Sequence, residues 1–130
     1  MRSITSRIYQ RNHPVIAILL AAIAVLNLDD YVVDVLMRDL VGHDRRPASF
    51  LVYLWLVSEQ ARRHGAVQVS YQEMAESIGL SKSSAQAAVN WLIRRKLLAA
   101  SKENATAIPS YTVRSPWQDA ASRVSLRSSR

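Results

Sequence analysis

Ser81, Lys82, Ser83, Ser84, Gln86 and Asn90 fall within the stretch SKSSAQAAVN, just after Gly79-Leu80. These side chains contain no nucleophile paired with a base and no set of metal ligands; what they share is the capacity to hydrogen-bond. Serine hydroxyls and a lysine ammonium donate to anionic oxygens such as those of phosphates, and Lys82 also suits a guanine edge. The amides of Gln86 and Asn90 present a donor and an acceptor side by side, which matches the N6 and N7 edge of adenine.

Spacing places these groups together. Ser81 is an N-cap for a helix KSSAQAAVNWLIRRK, and at 100° per residue Ala85, Ala88, Val89, Leu92 and Ile93 gather on one side of it. Ser83, Ala87, Asn90 and Arg94 gather on the other, with Gln86 on one flank and Ser84 and Trp91 on the opposite one. An ordinary solvated face would carry Glu and Lys pairs; this one is small near its N-terminus and rich in donors. A helix that must bring its backbone close to base edges needs small residues there, and its N-terminus attracts a phosphate. Ala87, at the centre of the face, can contact little beyond a thymine methyl. At the far end, Arg94-Arg95-Lys96 either grips a phosphate or offsets the helix dipole.

The flanking sequence supplies the scaffold. Ser70 and Glu73 form a capping box for YQEMAESI, Gly79 stops that helix, and Ala75 is small enough to let two helices cross closely. LLAAS and AIPSYTV read as two strands around a polar tip, Lys102 to Thr106, and AVQV before Ser70 as a short strand. Upstream, Pro47 opens the helix ASFLVYLWLVSEQARRHG, with Phe50, Leu51, Leu54, Trp55 and Val57 on its apolar face and Glu59 to Arg63 returning to solvent. DDYVVDVLMRDLVG is a further helix with Val32, Val33, Leu36, Met37 and Leu40 at helical spacing, joined to the next by a solvated connector, GHDRRP. The first dozen residues form an arm. VIAILLAAIAVL after Pro14 has the outline of a signal peptide, but it is shorter than the ~20 residues of a membrane span and export would put the basic half outside the cell, so it reads as a buried helix, a candidate for a subunit interface. Trp117 pins the chain end to the domain, and ASRVSLRSSR reads as a disordered basic tail.

MAESIGLSKSSAQAAVNWLIRRKLL followed by SKENATAIPSYTV resembles the winged helix-turn-helix DNA-binding domains, a group that includes the MarR-type and GntR-type bacterial regulators. The resemblance extends over about Ala48 to Val113. It implies a mainly α fold with a small β-hairpin wing, preceded here by extra N-terminal helices. Three regions result: an arm with apolar helices over 1–46, the winged helix-turn-helix over 47–116, and a basic tail over 117–130. It further implies that Lys82, Ser83, Ser84 and Gln86 approach DNA in the groove, that Asn90 lies near the same face, and that Lys102 or Asn104 at the wing tip touches backbone or minor groove.

Charge agrees with an anionic partner. The net charge is +7, and from Gly79 onward nine Lys or Arg (Lys82, Arg94, Arg95, Lys96, Lys102, Arg114, Arg123, Arg127, Arg130) face only Glu103 and Asp119, whereas earlier residues balance. The absence of cysteine excludes disulfides and thiolate metal sites and fits a cytoplasmic address. His13, His43 and His64 are too scattered in sequence for a metal site, and there is no P-loop, dinucleotide fingerprint or nucleophile elbow. The expectation is therefore a non-enzymatic binder of double-stranded DNA without cofactor. The expected role is that of a transcriptional regulator that pairs as a homodimer through its N-terminal helices and does not enter a membrane; no motif names an effector. A plasmid or phage replication or partition protein, and a winged-helix module that binds protein, are the alternatives.

Overall fold

The computed structural model describes residues 25–128, so the expected N-terminal arm and most of the apolar run after Pro14 lie outside the described residues. A leading helical segment, Val32–Leu36 and Arg38–His43, precedes helix α1 (Pro47–Arg63), strand β1 (Val67–Gln68), α2 (Tyr71–Ile78), α3 (Lys82–Arg94), β2 (Leu98–Ser101), β3 (Ser110–Val113) and α4 (Pro116–Ser128). The chain is mainly helical, with one small antiparallel sheet in the order β1-β3-β2. The β2-β3 hairpin is in the register Leu98 opposite Val113 to Ser101 opposite Ser110, and β1 adds Val67 opposite Tyr111 on the outer edge of β3. The expected helix, hairpin and short strand are all present.

Alternation explains the sheet's attachment. Val67 and Val69 are both buried, Gln68 between them is exposed, and Tyr111 is buried opposite Val67. These side chains join Val52, Leu56, Met74, Val89, Leu92 and Leu98 in a single core between α1, α2, α3 and the sheet.

The buried face of α1 differs from the expected one. Phe50 is buried as expected, but the others are Ser49, Val52, Tyr53, Leu56 and Glu59, while Leu51 is 45% exposed. The helix is apolar around most of its circumference, so its own periodicity does not select a face; hydrogen bonds to neighbouring elements do. The Ser49 hydroxyl donates to the Ala88 carbonyl of α3 (3.3 Å), the Tyr53 hydroxyl to the Arg114 carbonyl (3.2 Å), and the Gln60 side-chain oxygen accepts from the Val113 N–H (2.8 Å). Glu59, expected in solvent, is buried because Arg62 and Arg63 fold back on its two carboxylate oxygens at 3.0 and 3.2 Å.

The leading segment is wound more loosely than an α-helix. The Met37 N–H bonds to the Val32 carbonyl and the Asp44 N–H to the Asp39 carbonyl, five residues back. Val32, Leu36 and Leu40 are buried against α1; Val33 and Met37, expected to share that face, are 48% and 40% exposed. The C-terminal residues are also corrected. They form α4 rather than a disordered tail, and its start is tied down as expected of Trp117: its ring stacks on Tyr31 with centroids 4.5 Å apart. The Trp117 indole N–H and the Gln118 amide donate to Asp29 at 2.9 and 3.1 Å. With the Tyr31 N–H, these donors hold the Asp29 carboxyl below its ordinary pKa, the Trp117 bond contributing most.

Candidate nucleic-acid interface

The surface is built on the turn between α2 and α3. Ser70 caps α2 by accepting from the Glu73 N–H at 3.1 Å. Gly79 ends the helix at φ 92°, a left-handed conformation natural to glycine. The Gly79 and Leu80 N–H groups both return to the Ala75 carbonyl, and the small Ala75 is itself buried at the crossing. The chain thereby reverses within Gly79-Leu80-Ser81 and starts α3 with its first turn facing outward.

Ser81 caps α3, accepting from the Ser84 N–H at 3.1 Å, while its hydroxyl donates to that of Ser84 at 2.8 Å and lies 3.3 Å from that of Ser83. The three serines are thus linked into a cap. Part of their hydrogen-bonding capacity serves the helix end, and the remainder, with the first-turn N–H groups that no helix can satisfy internally, points to solvent. Lys82, Ser83, Ser84, Gln86, Ala87, Asn90 and Arg94 are all exposed, whereas Ala85, Ala88, Val89 and Leu92 are buried. No acidic residue occurs from Lys82 to Arg94. Ile93, expected in the core, is 39% exposed. It lines a cleft between α3 and the hairpin together with Tyr71, Ala100, Lys102 and Tyr111.

That cleft puts the hairpin on the Gln86 side of α3. Lys102 and Asn104 at the hairpin tip are exposed. The Asn104 side-chain oxygen accepts from the Thr106 N–H at 3.1 Å and the Thr106 hydroxyl at 3.0 Å. Asn104 therefore shapes the tip, while Lys102 offers its charge there.

The opposite flank holds the residues that the sequence least disclosed. Asp44, in the connector expected to be solvated, has a side chain only 4% exposed. It accepts from the Trp91 indole N–H at 3.0 Å, pairs with His43 at 3.0 Å and lies 3.4 Å from the Arg95 guanidinium. Burial favours the neutral acid, but the hydrogen bonds from His43 and Trp91 and the charge of Arg95 outweigh it, and Asp44 titrates below its ordinary value of 3.8. Arg95 is therefore a structural clamp, not a free phosphate donor. Above the same indole, the Arg46 guanidinium stacks at 4.5 Å from the ring centre and Arg94 sits at 5.8 Å. Trp91 packs on the connector, away from the hairpin. A single aspartate among basic residues gives no hint in sequence of a partner 47 residues away.

The structure therefore brings Ser81, Lys82, Ser83, Ser84, Gln86, Asn90 and Arg94 onto one exposed helix, with Lys102 and Asn104 on the hairpin beside it. Among the described residues, no helix is long and apolar enough to cross a membrane. The chain matches no family model, no curated protein and no solved structure.

Proposed function

We propose that this protein binds double-stranded DNA as a homodimer in the cytoplasm, with α3 in the major groove and the hairpin as a wing, and that it regulates transcription. The observation that carries the proposal is the outward face of α3: exposed from Lys82 to Arg94, free of acids, small in its first turn and amide-bearing in its second. Such a helix can approach a groove closely without repelling phosphates. The test is titration of a labelled duplex at increasing salt. The logarithm of the affinity is expected to fall linearly with that of the salt concentration, with a slope of about −0.9 for each phosphate neutralised. A chain that fails to bind at low salt would sink the proposal, and mapping the bound sites to promoters or to an origin separates regulation from replication.

Pairing through the leading segment follows from its exposed stripe. Val33, Met37 and Val41 recur at four-residue intervals, one position out of phase with the buried Val32, Leu36 and Leu40, and are 40 to 48% exposed. A second copy covering this stripe would remove it from water and set two α3 helices toward half-sites about one DNA turn, ~34 Å, apart. Val33→Lys with Met37→Lys is expected to give a folded monomer by sedimentation, since both positions lie outside the core and like charges would meet across a two-fold axis. A variant that sediments as a dimer would move the interface elsewhere.

A further inference from the structure

A helix seated in the major groove lies between two phosphate backbones, and the hairpin of this fold addresses only one side of α3. The other side is the connector between the leading segment and α1. Asp44 locks that connector to α3 through Trp91 and Arg95, and the next two residues, Arg45 and Arg46, are exposed. Among the described residues the ion pairs of this region use Arg95, Asp39, Asp44 and His43, and neither Arg45 nor Arg46 is paired with a carboxylate. Arg46 is instead fixed in direction by its stack on Trp91, a ring that Arg94 also approaches.

Arg45 shares a left-handed backbone with two other residues that follow helices, His64 (φ 56°) and Lys96 (φ 61°). Its φ is 55°, in the left-handed region that favours glycine. The chain needs that conformation to end the leading segment, where the Arg46 N–H returns to the Leu40 carbonyl at 2.7 Å and Pro47 begins α1. Glycine would meet the requirement without strain. An exposed arginine stands there in its place, and among the described residues no carboxylate pairs with it.

We propose that Arg45 and Arg46 are a second DNA-backbone contact, which grips phosphates on the side of α3 opposite the hairpin and so brackets the recognition helix between two cationic supports. The inference rests on the DNA-binding reading above. In it, Lys102 and the Arg45-Arg46 pair hold the two strands that border one groove, while Asp44 and Trp91 set the distance between the arginine pair and α3. The contacts are to phosphate, so they position the helix and carry no sequence information.

The test compares the intact protein with Arg45→Gly and with Arg45→Gly/Arg46→Gln, in duplex titrations over a range of salt and in thermal unfolding. Arg45→Gly removes a charge and relieves strain, so its melting temperature is expected to equal or exceed that of the parent while its affinity falls for every duplex sequence alike. The slope of log affinity against log salt is expected to shrink by about 0.9 in the single variant and by about twice that in the double variant. Unchanged affinity and slope in both variants, with a parent that binds DNA, would overturn this inference alone. A loss confined to one base position would also overturn it, since that marks base reading. A parent that fails to bind at low salt would overturn the DNA-binding reading together with this one.

Discussion

Replacing Asp44 with alanine is expected to destabilise the fold by ~2 kcal/mol and, on the proposed DNA-binding function, to weaken DNA binding by more than the stability loss explains. The carboxylate is almost entirely buried and gathers the Trp91 N–H, His43 and the Arg95 guanidinium on two oxygens. Removing one partner of a buried, charge-assisted hydrogen bond costs about 1.5 to 3 kcal/mol, because the group left behind has lost water as well. Here the substitution strips the partner from the Trp91 indole, while Arg95, 38% exposed, loses one of two carboxylates and keeps Asp39 at 4.0 Å. Asp44→Asn keeps an acceptor for Trp91 but gives up the charge facing Arg95, so a smaller loss of ~1 kcal/mol is expected. The pH dependence carries the same signature. Folding lowers the pKa of this carboxyl from 3.8, so its contribution is complete above that value and disappears as the pH falls through the lower folded value. Urea midpoints at neutral pH and near pH 3 measure both effects: the gap between wild type and Asp44→Asn should narrow in acid. Equal midpoints at neutral pH for Asp44→Ala and wild type would show that the connector is not an anchor.

The effect on binding follows from where the connector sits. Asp44 fixes Trp91 on the flank of α3, and Trp91 carries the Arg46 stack. Once the carboxylate is gone, the arginine pair is no longer held at a set distance from the outer face of α3, and on the proposed function ordering it again on DNA costs conformational entropy. The expected binding loss in Asp44→Ala should therefore be uniform across sequences, as for a phosphate contact.

How much of this was legible beforehand depended on whether the controlling interactions were local. The capping box at Ser70, the Gly79 stop, the Ser81 cap and the split of α3 into an alanine-lined buried side and an amide-bearing outer side are all set within a few residues, and the sequence pattern states each of them. The hairpin and its polar tip were legible for the same reason. The face of α1 was not: its residues are apolar on nearly every side, and the choice is made by Ser49, Tyr53 and Gln60 bonding to backbone groups of α3, of Arg114 just after β3 and of β3, contacts 39 to 61 residues away in sequence. Glu59 reads as solvent-exposed because charged residues near a helix end usually are, and it is buried only because two arginines of the same helix close over it. The same limit hid the connector flank of the site. Asp44, Arg45 and Arg46 look in sequence like a charged loop, and only the long-range bond to Trp91 turns them into part of the α3 surface.

Gln86 is the residue on which sequence preference is expected to turn, and Gln86→Ala should cost ~1 to 3 kcal/mol on the preferred duplex, about ten-fold or more in affinity. It is exposed, one turn into α3, and its neighbours Ser83 and Ala87 on the outer face are small, so the amide can reach a base edge without a bulky side chain holding the helix off. Asn90 shares the chemistry but lies a turn further from the helix N-terminus, where the outward residues of a recognition helix draw away from the bases, and its side chain is shorter. Lys82 and Lys102, by contrast, present point charges. Their alanine variants should weaken all sequences alike and flatten the salt dependence by about one phosphate each. The discriminating measurement is a panel of duplexes in which each position of a selected site is varied in turn. For Gln86→Ala the panel should lose discrimination at one position and keep it elsewhere. Loss of the same size on every duplex would return Gln86 to the class of positioning residues and leave Asn90 as the remaining amide able to read a base.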